Sequence, residues 1–148
     1  MQTRLYRWVE EVVHNRITVE GKLEPRLYIV MREDLWDMNP GKGMAQAAHA
    51  QALFDLYDHG HNGCLEEYCQ WRGDGSDCLG FGVTLVLSAP MSEWSNIPLK
   101  HFGVVEDPTY PYRNYYGKVF TRSEVTCMWA FATTEEEIEY MNRWKLHQ

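Results

Sequence analysis

The sequence predicts an α/β domain: a mixed four-stranded sheet with helices on both faces, preceded by an extra N-terminal helix. Three observations carry this expectation. Apolar runs rich in β-formers stand at residues 26–32, 79–88 and 123–132. Segments dominated by helix formers alternate with them, first at Met44–Tyr57 and last at Thr133–Lys145. Proline and glycine punctuation separates the two kinds of segment, as connectors require.

In chain order, residues 4–17 place Leu5, Trp8, Val9 and Val12 at helical spacing, an amphipathic pattern. This helix and the connector up to Pro25 form an N-terminal extension (1–25) to the domain proper (26–148). It is expected to cover a sheet face or edge, with a homodimer contact as the rarer alternative. Arg26–Arg32 then reads as a strand, and Asn39 and Pro40 read as N-cap and first position of a helix. On that helix Lys42, Gln46 and His49 recur at i, i+4 and i+7, so a cation, an amide and an imidazole share one stripe. Alanines on the other faces let the helix lie close to a sheet.

His59, His61, Cys64 and Cys69 crowd together after this helix. Their spacing fits no structural zinc pattern, so no metal is expected. A short helix containing Leu65, Tyr68 and Trp71 follows, then a polar loop over residues 72–77. Leu79–Ser88 reads as a central strand. Ser92 caps a brief helical segment that ends before Pro98. Phe102–Val105 reads as a short strand that delivers Glu106, Asp107 and Thr109 to a turn made by Pro108 and Pro111. Tyr112, Tyr115 and Tyr116, with Arg113 and Lys118, offer flat rings and cations suited to a nucleotide base. Ser123–Ala132 is the last strand. The final helix carries a threonine cap, acids in its first turn and bases in its last.

Composition limits the function classes. A chain of 148 residues with 45% hydrophobic content is large enough to bury one core. It has no apolar run long enough to span a bilayer and no secretory leader pattern, so a cytoplasmic location is expected, the host's cytoplasm if the chain is virus-encoded. Four cysteines without Cys-x-x-Cys spacing fit reduced thiols. The net charge of −7 disfavours an extended nucleic-acid footprint. Positive potential has to come from a local patch such as Lys42, Lys100, Arg113, Lys118 and Arg122.

The densest signal is the strand-to-helix junction. Open α/β sheets bind ligands beyond the carboxyl ends of their strands, where helix N-termini present amide donors. Here Arg32, Asp34 and Leu35 end a strand, and Gly41-Lys42, Ala45-Gln46 and His49-Ala50 open the helix. This arrangement resembles the signature of the type 2 peptidyl-tRNA hydrolases, in which an R-x-D-L strand end precedes a G-K-x-x-A-Q-x-x-H-A helix. Asp107 aligns with the aspartate of that family's D-A-G-x-T segment, although Pro108-Thr109 replaces Ala-Gly, and the tyrosine-rich stretch 110–118 has no family counterpart. The resemblance implies hydrolysis of the ester joining a peptide or aminoacyl group to the 3′ end of tRNA, without a cofactor or a metal. It implies that Asp107 activates water, Lys42 holds phosphate or the oxyanion, and His49 and Thr109 complete the catalytic set. Arg32, Asp34, Gly41 and Gln46, with the nucleotide-facing Tyr112, Arg113 and Lys118, then contact substrate. The competing expectation is a protein that binds a small nucleotide, or tRNA ends, in the same crevice without turnover.

Overall fold

A computed structural model of the protein describes residues 18–19, 22–35, 38–60, 66–72 and 82–147. The expected N-terminal helix, the loop over 73–77 and, but for Cys69, the side chains of the His/Cys cluster lie outside the described residues. In chain order the elements are β1 (Thr18–Val19), β2 (Lys22–Leu23), β3 (Arg26–Arg32), α1 (Pro40–Gly60), α2 (Glu66–Arg72), β4 (Thr84–Ala89), a 3₁₀ turn (Met91–Glu93), β5 (His101–Arg113), β6 (Val119–Ala132), α3 (Glu135–Met141) and β7 (Lys145–Leu146).

The sheet is mixed, as expected, but among the described residues it has five strands where four were predicted. Their order is β5-β6-β3-β4-β7, with β3 and β4 parallel and every other pair antiparallel. The added strand is β7, whose Leu146 and Lys145 pair with Leu87 and Ser88. Two residues are too few to show a period in sequence. The connector before β3 likewise holds a two-residue ladder, β1 with β2, instead of a plain turn.

β3 is the centre of the sheet and is covered on both faces. Leu27, Ile29 and Met31 point to one side, where they meet Cys127, Trp129 and Phe131 of β6, Ala50 and Phe54 of α1, and Tyr68 and Trp71 of α2. Tyr28 and Val30 point to the other, where Leu85, Leu87 and Ala89 of β4 and Met128 and Ala130 of β6 meet Ile138 and Met141 of α3. This is the two-residue period of strands turned into two cores. Phe54 anchors the first, its ring packed against Tyr68, Trp71, Trp129 and Phe131 at centroid distances of 5.4, 5.4, 5.2 and 4.8 Å.

α1 starts at Pro40, and the Lys42 amide donates to Asn39 Oδ1 at 3.0 Å, so the predicted cap forms. α3 is capped by Thr134, which accepts from the Glu137 amide, but the helix ends at Met141, four residues before the expected Lys145. There the chain tightens into i→i−3 bonds and turns the Trp144 ring into the second core, its Nε1 donating to Glu93 at 2.8 Å. Among the described residues no helix is long and apolar enough to cross a membrane.

The largest departure is β5. The expected short strand and proline turn are replaced by a 13-residue strand that keeps Pro108 and Pro111 inside it. β5 is the outer strand of the sheet, and Pro108 falls in the irregular stretch between Asp107 and Tyr110; edges and bulges are the places where a strand tolerates proline. Consequently the tyrosine-rich segment forms the far end of a long β5–β6 hairpin. Its far half, pairing Tyr110 with Arg122 and Arg113 with Val119, reaches past the end of β3 as an arm. Asn114 closes the tip by accepting the amides of Tyr116 and Lys118 at 2.9 Å, with Gly117 at φ +79°.

Candidate functional site

The arm curls over the β3–α1 junction, and the register of the hairpin explains how. Two irregularities break the β5–β6 pairing, one between Val105 and Glu106, the other between Asp107 and Tyr110. At the first, Thr126 is the extra residue of a bulge, so it and Cys127 both point toward α1. Thr126 donates to Gln46 Oε1 at 2.6 Å, and the Cys127 thiol donates to the Gln46 carbonyl at 3.5 Å. Beyond the bulge Asp107, paired with Glu124, also faces the helix.

Gln46 is the hinge of this cluster. It is only 2% exposed, and with its Oε1 taken by Thr126, its Nε2 donates to Asp107 Oδ2 at 2.7 Å. Asp107 Oδ1 accepts from the amide and hydroxyl of Thr109 at 2.8 and 3.1 Å. Burial alone would raise the Asp107 pKa. The hydrogen bonds from Gln46 and Thr109, aided by nearby His49, together outweigh it and hold the carboxyl below its ordinary range. The carboxylate is therefore ionised and fixed in direction at neutral pH.

Lys42, one turn before Gln46, lies over the face of the Tyr110 ring, 5.1 Å from its centroid. Its Nζ donates to the Pro111 carbonyl at 2.7 Å. Both contacts tie the first turn of α1 to the arm. Tyr110 and Tyr112 are buried against Leu35, with Met38 packed alongside.

Further along the arm, Arg32 at the end of β3 bonds to Asp34 at 3.2 Å, to the Val125 carbonyl at 3.1 Å and to Glu124 at 3.4 Å. Asp34 also accepts the Met91 amide at 3.2 Å. Burial works against it, but the Arg32 bond and that amide together hold its pKa below the ordinary value. Glu124 is held low chiefly by the Tyr112 hydroxyl, with burial opposing and Arg122 and Arg32 adding to the depression. Arg32, Asp34, Tyr112, Phe120, Arg122 and Glu124 are among the walls of an open cleft of about 600 Å³ between the β3 end and the arm.

The predicted site residues thus fall into two adjoining groups. Gln46, Asp107 and Thr109 meet at the root of the arm, with exposed His49 at their flank close enough to act on the Asp107 charge, while the Lys42 ammonium is turned to the Pro111 carbonyl and the Tyr110 ring further along the arm. Arg32, Asp34, Tyr112 and Arg113 meet in the cleft. Gly41 is exposed in the first turn of α1, where a Cβ would meet only Asn39 Oδ1, at 3.5 Å, so close backbone approach does not require glycine there. Lys118 stays at the arm's tip, outside the cleft lining. Lys100 is separate from both groups, its amide bonded to Glu137 beside α3.

Sequence reading missed Thr126, Glu124 and Phe120. Thr126 left a signal, being a polar residue inside the otherwise apolar run Val125–Ala132. Glu124 and Phe120 left none, because their roles depend on a hairpin register that no local pattern sets. Among the described residues no group of three or more His, Cys, Asp and Glu side chains is gathered for a metal ion. No protein-family model matches the chain, and no curated protein matches it.

Proposed function

We propose that the protein hydrolyses the ester that links a peptide or aminoacyl group to the 3′ end of tRNA. The observation that carries this reading is the 2.7 Å bond from Gln46 to Asp107, which joins the helix motif to the aligned aspartate across the fold. An ester hydrolase needs an oriented water, a stabiliser for the developing oxyanion and an anchor for phosphate. Asp107 is an ionised acceptor whose orientation is set from two sides, and it directs a water toward the ester carbonyl. Lys42, beside the amide-rich N-terminus of α1, supplies positive potential for phosphate or the oxyanion. Gln46 positions the carboxylate, Thr109 completes its hydrogen-bond set, and His49 adds a polar group at the rim.

Release of labelled peptide from purified peptidyl-tRNA tests the assignment. Wild type turns over. Lys42→Ala and Asp107→Asn lose about 100-fold or more, the scale of a lost charge stabiliser or acid–base group.

A second reading has its own observation. Both Asp107 oxygens already accept protein donors, and a carboxylate with a depressed pKa is a weak base. This favours a protein that binds a nucleotide or tRNA end and does not cleave it. Calorimetry that gives saturable heats with no product formed supports that reading; product formation removes it.

A further inference from the structure

The cleft along the arm is not used by the chemistry assigned to Asp107 and Lys42. Its composition differs from the rest of this acidic chain. Arg32, Arg113 and Arg122 line it together with Asp34 and Glu124, a balance of one positive charge in a molecule of net charge −7. Both carboxylates are already bonded by Arg32, and Glu124 by Arg122 and Tyr112 as well, so they turn little negative potential outward. Arg122 remains 65% exposed at its side chain. The guanidinium of Arg113 is held at the tip by the Gly117 carbonyl at 3.0 Å.

The cleft also presents flat apolar rings. Tyr112 is buried and serves as a base plate. The Phe120 ring stacks on it at 5.6 Å with an interplanar angle of 21°, and the Arg122 guanidinium sits over it at 5.3 Å. Phe120 is nonetheless 44% exposed and Tyr115 98% exposed. Exposed aromatic faces interleaved with arginines suit a stacked base and its phosphate, because every base has a π-face and guanidiniums bind phosphate in a fork.

Distance selects the source of that nucleotide. Tyr112 lies five positions beyond Asp107 along β5, on the order of 15 Å at strand spacing. A mononucleotide in the cleft falls short of Asp107, whereas a strand of a few nucleotides spans the two. We infer that the cleft binds an unpaired nucleotide of single-stranded RNA, its base against Phe120 and its phosphate against Arg122 and Arg113, with the strand's 3′ end running toward Asp107. The direction of the strand rests on the hydrolase reading; the binding does not.

The test is fluorescence anisotropy with a short, labelled, single-stranded RNA at low salt, with adenosine monophosphate as competitor. Wild type is expected to bind, with affinity falling as salt rises. Phe120→Ala and Arg122→Gln each weaken binding about tenfold, and Leu56→Ser, an exposed site on α1, changes nothing. In the peptidyl-tRNA assay the first two variants raise KM and leave kcat in place. No RNA binding by wild type, or binding indifferent to both cleft substitutions, overturns the proposal. So does adenosine monophosphate binding as tightly as the strand. RNA binding that obeys the cleft substitutions without any peptide release leaves this inference standing and removes the hydrolase reading.

Discussion

Gln46 shows what a single buried amide does in this fold. It accepts from Thr126 and donates to Asp107, so its two ends cannot be exchanged without breaking both bonds. Gln46→Leu leaves a buried hydroxyl and a half-buried carboxylate without that partner, which costs about 1–3 kcal/mol. The denaturant midpoint of the variant against wild type measures it. The same network sets a pH dependence. The folded-state pKa of Asp107 is depressed, so its contribution to stability is present above the ordinary carboxylate value and is lost as pH falls through and below about 4. Asp107→Asn removes that contribution, so its melting temperature drops less steeply than that of wild type between pH 5 and pH 3, read by thermal denaturation across that range. Cys127 takes no part in any such titration near neutrality, since burial pushes its thiol up to about 12.

The elements were legible in proportion to how local their causes are. The start of α1 follows from Asn39 and Pro40, and the cap forms as read; Asn39→Ala costs about 1 kcal/mol by the usual worth of such caps, seen as a lower denaturant midpoint with unchanged slope. The β3 strand, the short helix burying Tyr68 and Trp71, and the Thr134 cap were equally readable. β5 was not. Two prolines read locally as a turn, and only its place at the edge of the sheet makes them harmless in a strand. The site divides the same way. The Lys42–Gln46 stripe was visible in the helix, but the partner of Gln46 and the whole wall of the cleft depend on the pairing of β5 with β6. Packing adds a further check at this scale. Phe54 touches aromatic rings from α2 and β6, so Phe54→Ala opens a cavity costing about 3–5 kcal/mol, measured by chemical denaturation.

At the scale of the whole molecule, the net charge and the proposed function pull in opposite directions. A net charge of −7 repels itself and repels RNA, while a few cations are collected where the arm meets the β3 end. Added salt therefore has two opposite effects: it raises the thermal midpoint by screening self-repulsion and weakens RNA association by competing at the cleft. Melting and anisotropy curves over one salt series separate the two.

The proposed hydrolase activity turns on Lys42 and Asp107 serving one reaction from the two sides of the α1–arm junction. The most direct measurement is peptide release from purified peptidyl-tRNA by wild type, Lys42→Ala and Asp107→Asn. Turnover by wild type with a loss of about 100-fold or more in each variant is the expected result. Absence of wild-type turnover under conditions where an authentic type 2 peptidyl-tRNA hydrolase works, or turnover unchanged in both variants, contradicts it.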